Sequence, residues 1–243
     1  MKDVEEDQCC TAVRPKTLNA RLEPTIELAN MAADWKLEEE AGALTGSIII
    51  GVDEVGRGPL AGPVVAAAAW LDLNNCPLSV LALLQDSKSL NQTSRSKALE
   101  AVQPYLISAR GRAEVEEIDA VNILQATMRA MTRAVEALVP KLPHAPAKIL
   151  IDGNRIPPLR FAAEAIVKGD SKSVSIAAAS IVAKQARDAE MEALASDYPG
   201  YGWERNAGYG TAEHRQAIHK LGPTPHHRMS FQPLKQMALE LKD

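Results

Sequence analysis

Apolar and polar positions form short blocks along most of the chain that predict strands, with helical patterns between the later blocks. Ile48–Asp53 and Val64–Leu71 are apolar runs on either side of a turn rich in glycine and proline, which predicts an antiparallel pair of strands. Three further strands are predicted at Ile107–Val115, Lys148–Asp152 and Ala163–Val167. An early hairpin followed by alternating strands and helices indicates an α/β fold with a mixed sheet.

Helices are predicted where apolar residues recur at spacings of three and four. They span Ser94–Leu106, Asn122–Leu138, Ser171–Ser196 and Thr211–Leu221. Asn122 and Thr211 are expected to cap their helices, and the cap of the long third helix is either Ser171 or Ser173. That helix carries three consecutive alanines, Ala177–Ala179, which would let it approach the sheet closely.

The first 46 residues differ from the rest because they are acidic and lack strand signals. Leu22–Leu44 could form one or two helices with Trp35 as an anchor. We therefore interpret residues 1–46 as an acidic N-terminal extension that is partly ordered or disordered. Residues 47–233 are expected to form the α/β domain, and residues 234–243 a C-terminal tail or helix.

Composition is typical of a soluble globular protein in a reducing compartment. Hydrophobic residues make up 46% of the sequence. No apolar run approaches the roughly 20 residues of a membrane span. The three cysteines do not form a disulfide framework, no Cys/His spacing resembles a zinc site, and the first residues lack the pattern of a signal peptide. We expect a cytoplasmic monomer with no membrane association.

The formal net charge of −4 is unevenly distributed. Residues 1–45 hold five Lys/Arg and ten Asp/Glu, a net of −5, so the remaining 22 basic and 21 acidic residues sum to +1. His214–Arg228 contains four His, two Arg and one Lys without an acid. This segment is either a solvated helix and loop or a basic strip facing phosphates, and the adjacent His226 and His227 are expected at the surface or facing phosphates.

The most informative chemistry follows the first predicted strand. Asp53 and Glu54 are adjacent carboxylates that are costly to desolvate unless a cation neutralises them. Hard divalent ions such as Mg²⁺ prefer such oxygen ligands. In the next residues, Gly56 and Gly58 allow the backbone to approach a ligand closely, and Arg57 between them suits a phosphate. The alternative is an ordinary strand end whose acids face water.

Two later apolar runs also end in a carboxylate beside a glycine, at Asp152 and Asp170. Because ligands of open α/β sheets bind outside the carboxyl ends of strands, these acids could meet Asp53 and Glu54 at one edge of the sheet. Two Mg²⁺ ions about 3.5–4 Å apart would offset the repulsion among four carboxylates and could support phosphoryl displacement. Either later acid alone would be a turn or cap residue, so the argument depends on the combination.

The chain resembles the bacterial ribonuclease HII family, the type 2 ribonucleases H, over roughly Ser47 to Pro233. The matching segments occur in the family's order and are Gly51–Gly62, Asp86–Leu90, Asn122–Thr127, Ile151–Gly153, Lys168–Lys172 with Ser175–Lys184, and Gly208–Thr211. Each segment is modestly specific, whereas the ordered set is very specific. The resemblance implies a ribonuclease H-like catalytic domain with a five-stranded mixed sheet flanked by helices, followed by a C-terminal helical segment.

The resemblance also implies an activity. The family hydrolyses the RNA strand of RNA–DNA hybrids and cuts on the 5′ side of single ribonucleotides embedded in duplex DNA, leaving 5′-phosphate and 3′-hydroxyl ends. This implies a role in ribonucleotide removal during DNA replication and repair. Transferred residue by residue, the resemblance makes four carboxylates the catalytic ligands of two Mn²⁺ or Mg²⁺ ions, namely Asp53, Glu54, Asp152 and Asp170.

The resemblance further indicates how the substrate is bound. Gly56, Arg57 and Gly58 would recognise the 2′-hydroxyl, the group that distinguishes RNA from DNA, and Tyr209 would stack on the following deoxyribose. Their alternatives are a tight turn and a tyrosine packed against the final helix. Several lysines could meet phosphates, could reduce repulsion among the carboxylates, or could simply be solvated, namely Lys88, Lys168, Lys172 and Lys184.

Other classes of protein fit less well. Another nuclease, resolvase or integrase of the same fold would share the carboxylates but lack the pairing of Gly-Arg-Gly with Tyr209. A dinucleotide-binding protein would need its last glycine one residue before Gly62, and a P-loop is absent. A non-catalytic hybrid-binding module gains nothing from buried acids. Gln236–Leu241 is similar to peptides that bind the bacterial sliding clamp, although a terminal helix over Pro233–Lys242 is favoured.

Overall fold

The computed structural model describes residues 34–84 and 91–236, all of which lie in one compact unit. In this part of the chain five strands form one mixed sheet: β1 Ile49–Val55, β2 Val64–Leu71, β3 Leu106–Ala113, β4 Lys148–Asp152 and β5 Ala163–Ile166. Their order across the sheet is β3-β2-β1-β4-β5. β2 runs antiparallel to β1 and β3, whereas β1, β4 and β5 run parallel. The predicted hairpin and mixed sheet are confirmed.

Helices cover both faces of this sheet. Their bounds are α1 Lys36–Glu40, α2 Leu78–Leu81, α3 Gln92–Val102, α4 Val115–Val121, α5 Ile123–Leu138, α6 Val174–Asp197, α7 Trp203–Asn206 and α8 Ala212–Leu221. One face packs on α5 through Ile50, Val52 and Ile151, and the other face packs on α6. Within the described ranges, no helix is both long and apolar enough to cross a membrane.

The predicted caps are found at the starts of three helices. The Asn122 side chain accepts hydrogen bonds from the backbone N–H groups of Leu124 and Gln125 at the start of α5. Thr211 caps α8 in the same way. Of the two serines proposed for α6, Ser173 is the cap, because its hydroxyl accepts the N–H of Ile176. These local signals located the helix starts to within a few residues.

Several element ends differ from the prediction by one to four residues, and two of these differences have a clear physical reason. The helix expected to reach Leu106 ends at Val102, because the chain tightens into a 3-10 turn around Pro104. Val115, expected at the end of a strand, is the first residue of α4. The strand ends sooner because its partner β2 begins at Val64, which pairs with Ala113, so the residues after Ala113 have no neighbour in the ladder.

α6 crosses the sheet directly over β1, and this close contact positions the site. A Cβ added to Gly51 would lie 2.1 Å from the carbonyl carbon of Ser175, so only glycine permits this approach. The alanines of Ala177–Ala179 are buried at the same interface, as their small size predicted. α6 therefore sits close enough for its side chains to reach those at the carboxyl end of β1.

Residues 34–46 pack on the α6 side of the sheet. Trp35 contacts the cluster that α6 forms with β2. Leu37 and Ala41 contact the cluster around Ile49 and Ile176. The expected division of the chain into residues 1–46, 47–233 and 234–243 stays a prediction. The proposed clamp-binding segment lies outside the described residues after Gln236, as does Lys88.

Candidate active site

Three of the four expected carboxylates line one pocket of about 360 Å³ at the carboxyl ends of two adjacent parallel strands. Asp53 and Glu54 lie near the end of β1, and Asp152 is the last residue of β4. The register pairs Val52 with Ile151, so Asp53 and Asp152 follow neighbouring positions. Parallel pairing thus brings together residues that are about a hundred positions apart in the sequence.

Asp53 is the most strongly perturbed of these acids. Its side chain is buried, and this burial raises its pKa well above the usual range for aspartate, with further increases from the negative charges of Glu54 and Asp152. A hydrogen bond with Ser180 and one from the N–H of Glu54 act in the opposite direction. Ser180 of α6 therefore also contacts the site.

Asp170 lies in the 3-10 turn Gly169–Ser171 between β5 and α6 and is buried. It is not among the residues that line the pocket, but its neighbour Gly169 donates its N–H to Oδ1 of Asp152 at 2.6 Å. The turn that carries Asp170 is therefore hydrogen-bonded to the carboxylate of Asp152.

The donor set fits a hard divalent cation. All the acidic groups offer oxygen, and a cation would offset the repulsion that raises the pKa of Asp53. In the described ranges, no three His, Cys, Asp or Glu side chains are already arranged closely enough to enclose an ion. Ion binding at this site would therefore need these side chains to move closer together.

The loop after β1 forms the opposite wall of the pocket. Gly56 has a φ of 91°, and a Cβ there would lie 2.2 Å from Nε of Arg187, so glycine is required for both reasons. Arg57 is half-exposed and pairs with Glu54 at 3.2 Å. Gly58 and Arg57 are open to solvent, as substrate recognition would require.

Two buried arginines hold this loop, and sequence reasoning missed both. The Arg228 guanidinium donates to the carbonyls of Gly56, Arg57, Pro59 and Gly62 at 2.5–3.0 Å. Arg187 donates in the same way to the carbonyls of Ala61, Pro63 and Ala207. Burial, reinforced by the charge of Arg187, lowers the pKa of Arg228 to about 9, so it stays protonated near neutral pH. Nothing in the sequence marks this role except that each residue is basic.

Tyr209 lies at the rim of the same pocket, with 44% of its surface exposed. Its ring is next to Gly58, where an added Cβ would lie 3.6 Å from the ring. The backbone of this loop is fixed, because the Tyr209 carbonyl accepts a hydrogen bond from Nδ1 of His214 at 2.9 Å. The structure thus places the expected tyrosine beside the expected glycine loop, with its ring free to contact a ligand.

The segment expected as a basic strip or solvated helix is mixed: Arg215, His219 and Lys220 are exposed, whereas other polar side chains of the segment are buried. His214, His227 and Arg228 are almost fully inaccessible, so the expectation that His227 lies at the surface or faces phosphates is wrong. Trp203 and Tyr201 pack against both histidine rings. Their burial has a tertiary reason: the loop after α8 packs against the turn between β1 and β2, where Ala61 forms a bridge with His227.

Hydrogen bonds define the protonation of this histidine pair. Trp203 donates to Nε2 of His214 at 2.9 Å, so Nδ1 of His214 carries its proton and donates to Tyr209. Nδ1 of His227 accepts the N–H of Thr224, so its Nε2 carries the proton and lies 3.1 Å from Nε2 of His214. A second proton on His227 would face the Thr224 N–H and lose that bond.

Acid is therefore expected to destabilise the fold through His227. Burial and the neighbouring histidine lower its pKa from 6.5 to about 4, so the unfolded chain binds the proton more readily between these values. The free energy of unfolding should fall as the pH drops from 6.5 to 4, by about 3 kcal/mol from this residue. Urea unfolding of the wild type and of His227→Gln, at several pH values in this range, measures this fall in the free energy of unfolding.

The exposed His219 provides the matched control for this experiment. His219→Gln should keep the wild-type dependence on pH, whereas His227→Gln should remove the His227 contribution and leave those of His214, whose pKa burial lowers, and of Asp53 and Glu38, whose pKa burial raises. Identical pH dependence in wild type and His227→Gln would contradict this account.

Cations at the pocket are held by an acid that sequence reasoning missed. Asp188 in α6 pairs with Lys184 at 2.6 Å and with Arg95 at 2.9 Å, and both cations line the pocket. Lys168 and Lys172 are exposed on either side of Asp170 and do not line the pocket. Lys184 is thus the one of these three expected lysines that the structure places beside the carboxylates.

Comparison with known proteins agrees with this geometry. The family model described as "Ribonuclease HII" matches residues 50–234. A ribonuclease HII from Paramagnetospirillum magneticum is 55% identical over 206 residues, covering 85% of this chain and 98% of the relative. The ribonuclease H2 structure from Pyrococcus horikoshii superposes with a TM-score of 0.65 at 25% identity and covers 81% of this chain and 99% of that one. Bst-RNase HIII in complex with Mn²⁺ superposes with a TM-score of 0.63 at 24% identity, covering 83% and 74%. The chain belongs to the ribonuclease HII family of endonucleases.

Proposed function

We propose that this endoribonuclease hydrolyses the RNA strand of RNA–DNA hybrids and cuts on the 5′ side of single ribonucleotides in duplex DNA, with two divalent ions held by Asp53, Glu54, Asp152 and Asp170. The observation that carries the proposal is the meeting of carboxylates from β1 and β4 in one pocket with the loop of Gly56 and Gly58. Membership of the ribonuclease HII family supports the same substrate class.

The role of the carboxylates is to hold and orient the divalent ions. Asp53, between Glu54 and Asp152, is too buried to carry its charge without a cation, which favours ion binding over an exposed acidic patch. When bound, Mg²⁺ or Mn²⁺ ions would supply an activated water and stabilise charge on the leaving oxygen. Ser180 fixes the orientation of Asp53 by its hydrogen bond and does not need to act as a nucleophile.

Recognition of the ribose is assigned to the loop after β1, which lines the pocket. The exposed Gly58 could donate to and accept from a 2′-hydroxyl through its backbone, and its lack of a side chain allows close approach, whereas the carbonyls of Gly56 and Arg57 are bound by Arg228. The Tyr209 ring beside Gly58 could then contact the next sugar. Because Arg228 and His214 hold the two backbones, both parts are preorganised before the substrate binds.

The positively charged side chains beside the carboxylates are assigned to contacts with the phosphate backbone of the substrate. Lys184 and Arg95 line the pocket, and their shared contact with Asp188 limits the conformations they sample. Lys168 and Lys172, exposed beside Asp170, could meet phosphates farther along the duplex. Binding through such contacts should weaken steeply with salt.

The test is cleavage of a labelled DNA duplex that contains one ribonucleotide, with the ends of the products mapped. We expect cutting on the 5′ side of the ribonucleotide in Mg²⁺ or Mn²⁺, leaving a 3′-hydroxyl, and no cutting in excess chelator. The same duplex without the ribonucleotide is the control. Equal cleavage of the two duplexes would instead favour a DNA nuclease of the same fold, and full activity in chelator would contradict a metal mechanism.

A cytoplasmic location is part of this proposal, because the substrate is DNA-borne and the described cysteine, Cys76, has a free, buried thiol. We propose a monomer that acts on nucleic acid. A sliding clamp would be a further partner only if Gln236–Leu241 binds it; retention of the chain on immobilised clamp, and its loss in Gln236→Ala, would demonstrate this.

A further inference from the structure

Glu38, in the segment before β1, is completely buried although its neighbours Glu39 and Glu40 in α1 are exposed. Its Oε1 accepts the hydroxyl of Ser173 at 2.5 Å and the N–H of Ser175 at 2.9 Å. Its Oε2 has no hydrogen-bond partner in the described part of the chain. A carboxylate in this position is costly, so packing alone does not explain it.

The position of Glu38 explains how part of this cost is offset. Its contacts are the cap and first turn of α6, where backbone N–H groups are not used within the helix and a negative charge is favourable. The Asp34 carbonyl also accepts the N–H of Val174 at 3.1 Å. The segment before β1 therefore provides hydrogen-bond acceptors for two of the free N–H groups at the start of this 24-residue helix.

Hydrogen bonds lead from Glu38 to the candidate catalytic acids. Glu38 holds Ser173, the N–H of Ser173 donates to the carbonyl of Gly169 at 2.9 Å, and the N–H of Gly169 donates to Asp152 at 2.6 Å. Asp170 is the next residue in that turn. Glu38, which binds the cap of α6, is thus connected to Asp152 and, through the turn, to Asp170.

The same segment also packs beneath these elements. Leu37 and Ala41 contact an apolar cluster made of Ile49 from β1, Leu150 from β4 and Ile166 from β5, together with Ile176 at the start of α6. These are the strands from which the candidate ligands project. Displacement of α1 would therefore disturb both the apolar packing near the turn Gly169–Ser171 and the hydrogen bond from Ser173 to Glu38.

We propose that Glu38 is a positioning residue: it holds the start of α6, and through Ser173 and Gly169 it keeps Asp170 and Asp152 at the spacing needed to bind divalent ions. The inference rests on the proposed function, because it takes these acids as metal ligands. Residues that orient ligands commonly change metal affinity by about 10–100-fold when they are removed.

The experiment measures Mn²⁺ binding directly by titration calorimetry without nucleic acid, on full-length protein well below its unfolding midpoint. Glu38→Ala is expected to weaken Mn²⁺ binding by about tenfold or more. Glu38→Gln keeps an acceptor oxygen for Ser173 and should stay within about threefold of wild type, a rescue that mere loss of volume would not predict. Glu40→Ala, on the exposed face of the same helix, is the matched control and should bind as wild type does.

A folded Glu38→Ala protein with wild-type Mn²⁺ affinity would overturn the inference. If that variant does not fold, Ser173→Ala is measured instead; it removes the hydroxyl that joins Glu38 to the start of α6 and that also caps this helix through the N–H of Ile176. Weaker Mn²⁺ binding supports the inference that the start of α6 positions the turn, and unchanged binding refutes it. Asp53→Asn separates the two claims. If it loses Mn²⁺ while Glu38→Ala and Ser173→Ala do not, only the role of Glu38 is wrong; if it keeps full Mn²⁺ affinity, the proposed carboxylate site itself is wrong.

Discussion

Asp53→Asn is expected to reduce cleavage of a duplex with one ribonucleotide by about 10³-fold or more, because an amide is a poorer ligand for a hard cation than a carboxylate is. The free protein should at the same time become more stable by about 1–2 kcal/mol, since the change replaces a carboxyl whose ionised form is disfavoured in the folded state by burial and by the charges of Glu54 and Asp152. Single-turnover kinetics and urea unfolding in chelator measure the two effects.

The opposite signs of these effects make the prediction specific. A structural aspartate would lose stability on this change, whereas a metal ligand held in a repulsive cluster should lose activity and gain stability. The gain should disappear when unfolding is repeated in Mn²⁺, because only the wild type would then be stabilised by bound ion. Asp197→Asn, at an exposed position in α6, is the control and should change neither quantity. Activity near the wild-type level in Asp53→Asn would remove Asp53 from the site.

Arg228→Met is expected to cause the largest loss of stability, about 3–5 kcal/mol, because it leaves buried carbonyls in the Gly56–Gly62 loop without donors. Protein that remains folded at low temperature should also cleave the single-ribonucleotide duplex about 100-fold more slowly, since the loop that contacts the sugar is no longer held in position. Urea unfolding and kcat/KM on that duplex test the two statements.

Arg228→Lys tests the geometry rather than the charge. A lysine ammonium cannot reproduce the planar fork that reaches several carbonyls at once, so this variant should recover only part of the stability. Arg129→Met is the matched control, because Arg129 is half-exposed and paired with Glu117, and it should cost no more than about 1 kcal/mol. Wild-type stability and cleavage in Arg228→Met would show that the loop holds its own conformation.

The fold was largely predictable because its signals are local. Apolar runs with turns between them located the strands, and side chains such as Asn122 and Thr211 marked the helix starts. One error, at Val115, occurred where a neighbouring strand decides the outcome. Val115 begins a helix because β2 offers it no partner, and no pattern around Val115 reports where β2 begins.

The candidate carboxylates were predictable for a related reason. Each follows an apolar run, and parallel strands place their carboxyl ends at one edge, so Asp53 and Asp152 meet once β1 and β4 pair. The supporting residues were not predictable. Arg228, His227 and Glu38 look like solvated charges in the sequence, because burial of a polar side chain depends on partners that lie far away along the chain.

The amino-acid sequence by itself thus determined the α/β architecture, the family and the acids that end the strands, since these depend on local periodicity and on a distinctive order of motifs. Only the tertiary structure decided how the site is held. Backbone carbonyls of the glycine loop bind Arg228, the Tyr209 carbonyl binds His214, and the Ser175 N–H binds Glu38. Each of these hydrogen bonds joins a side chain to a backbone group. Because every residue has the same backbone groups, the sequence does not show which of them a given side chain will bind.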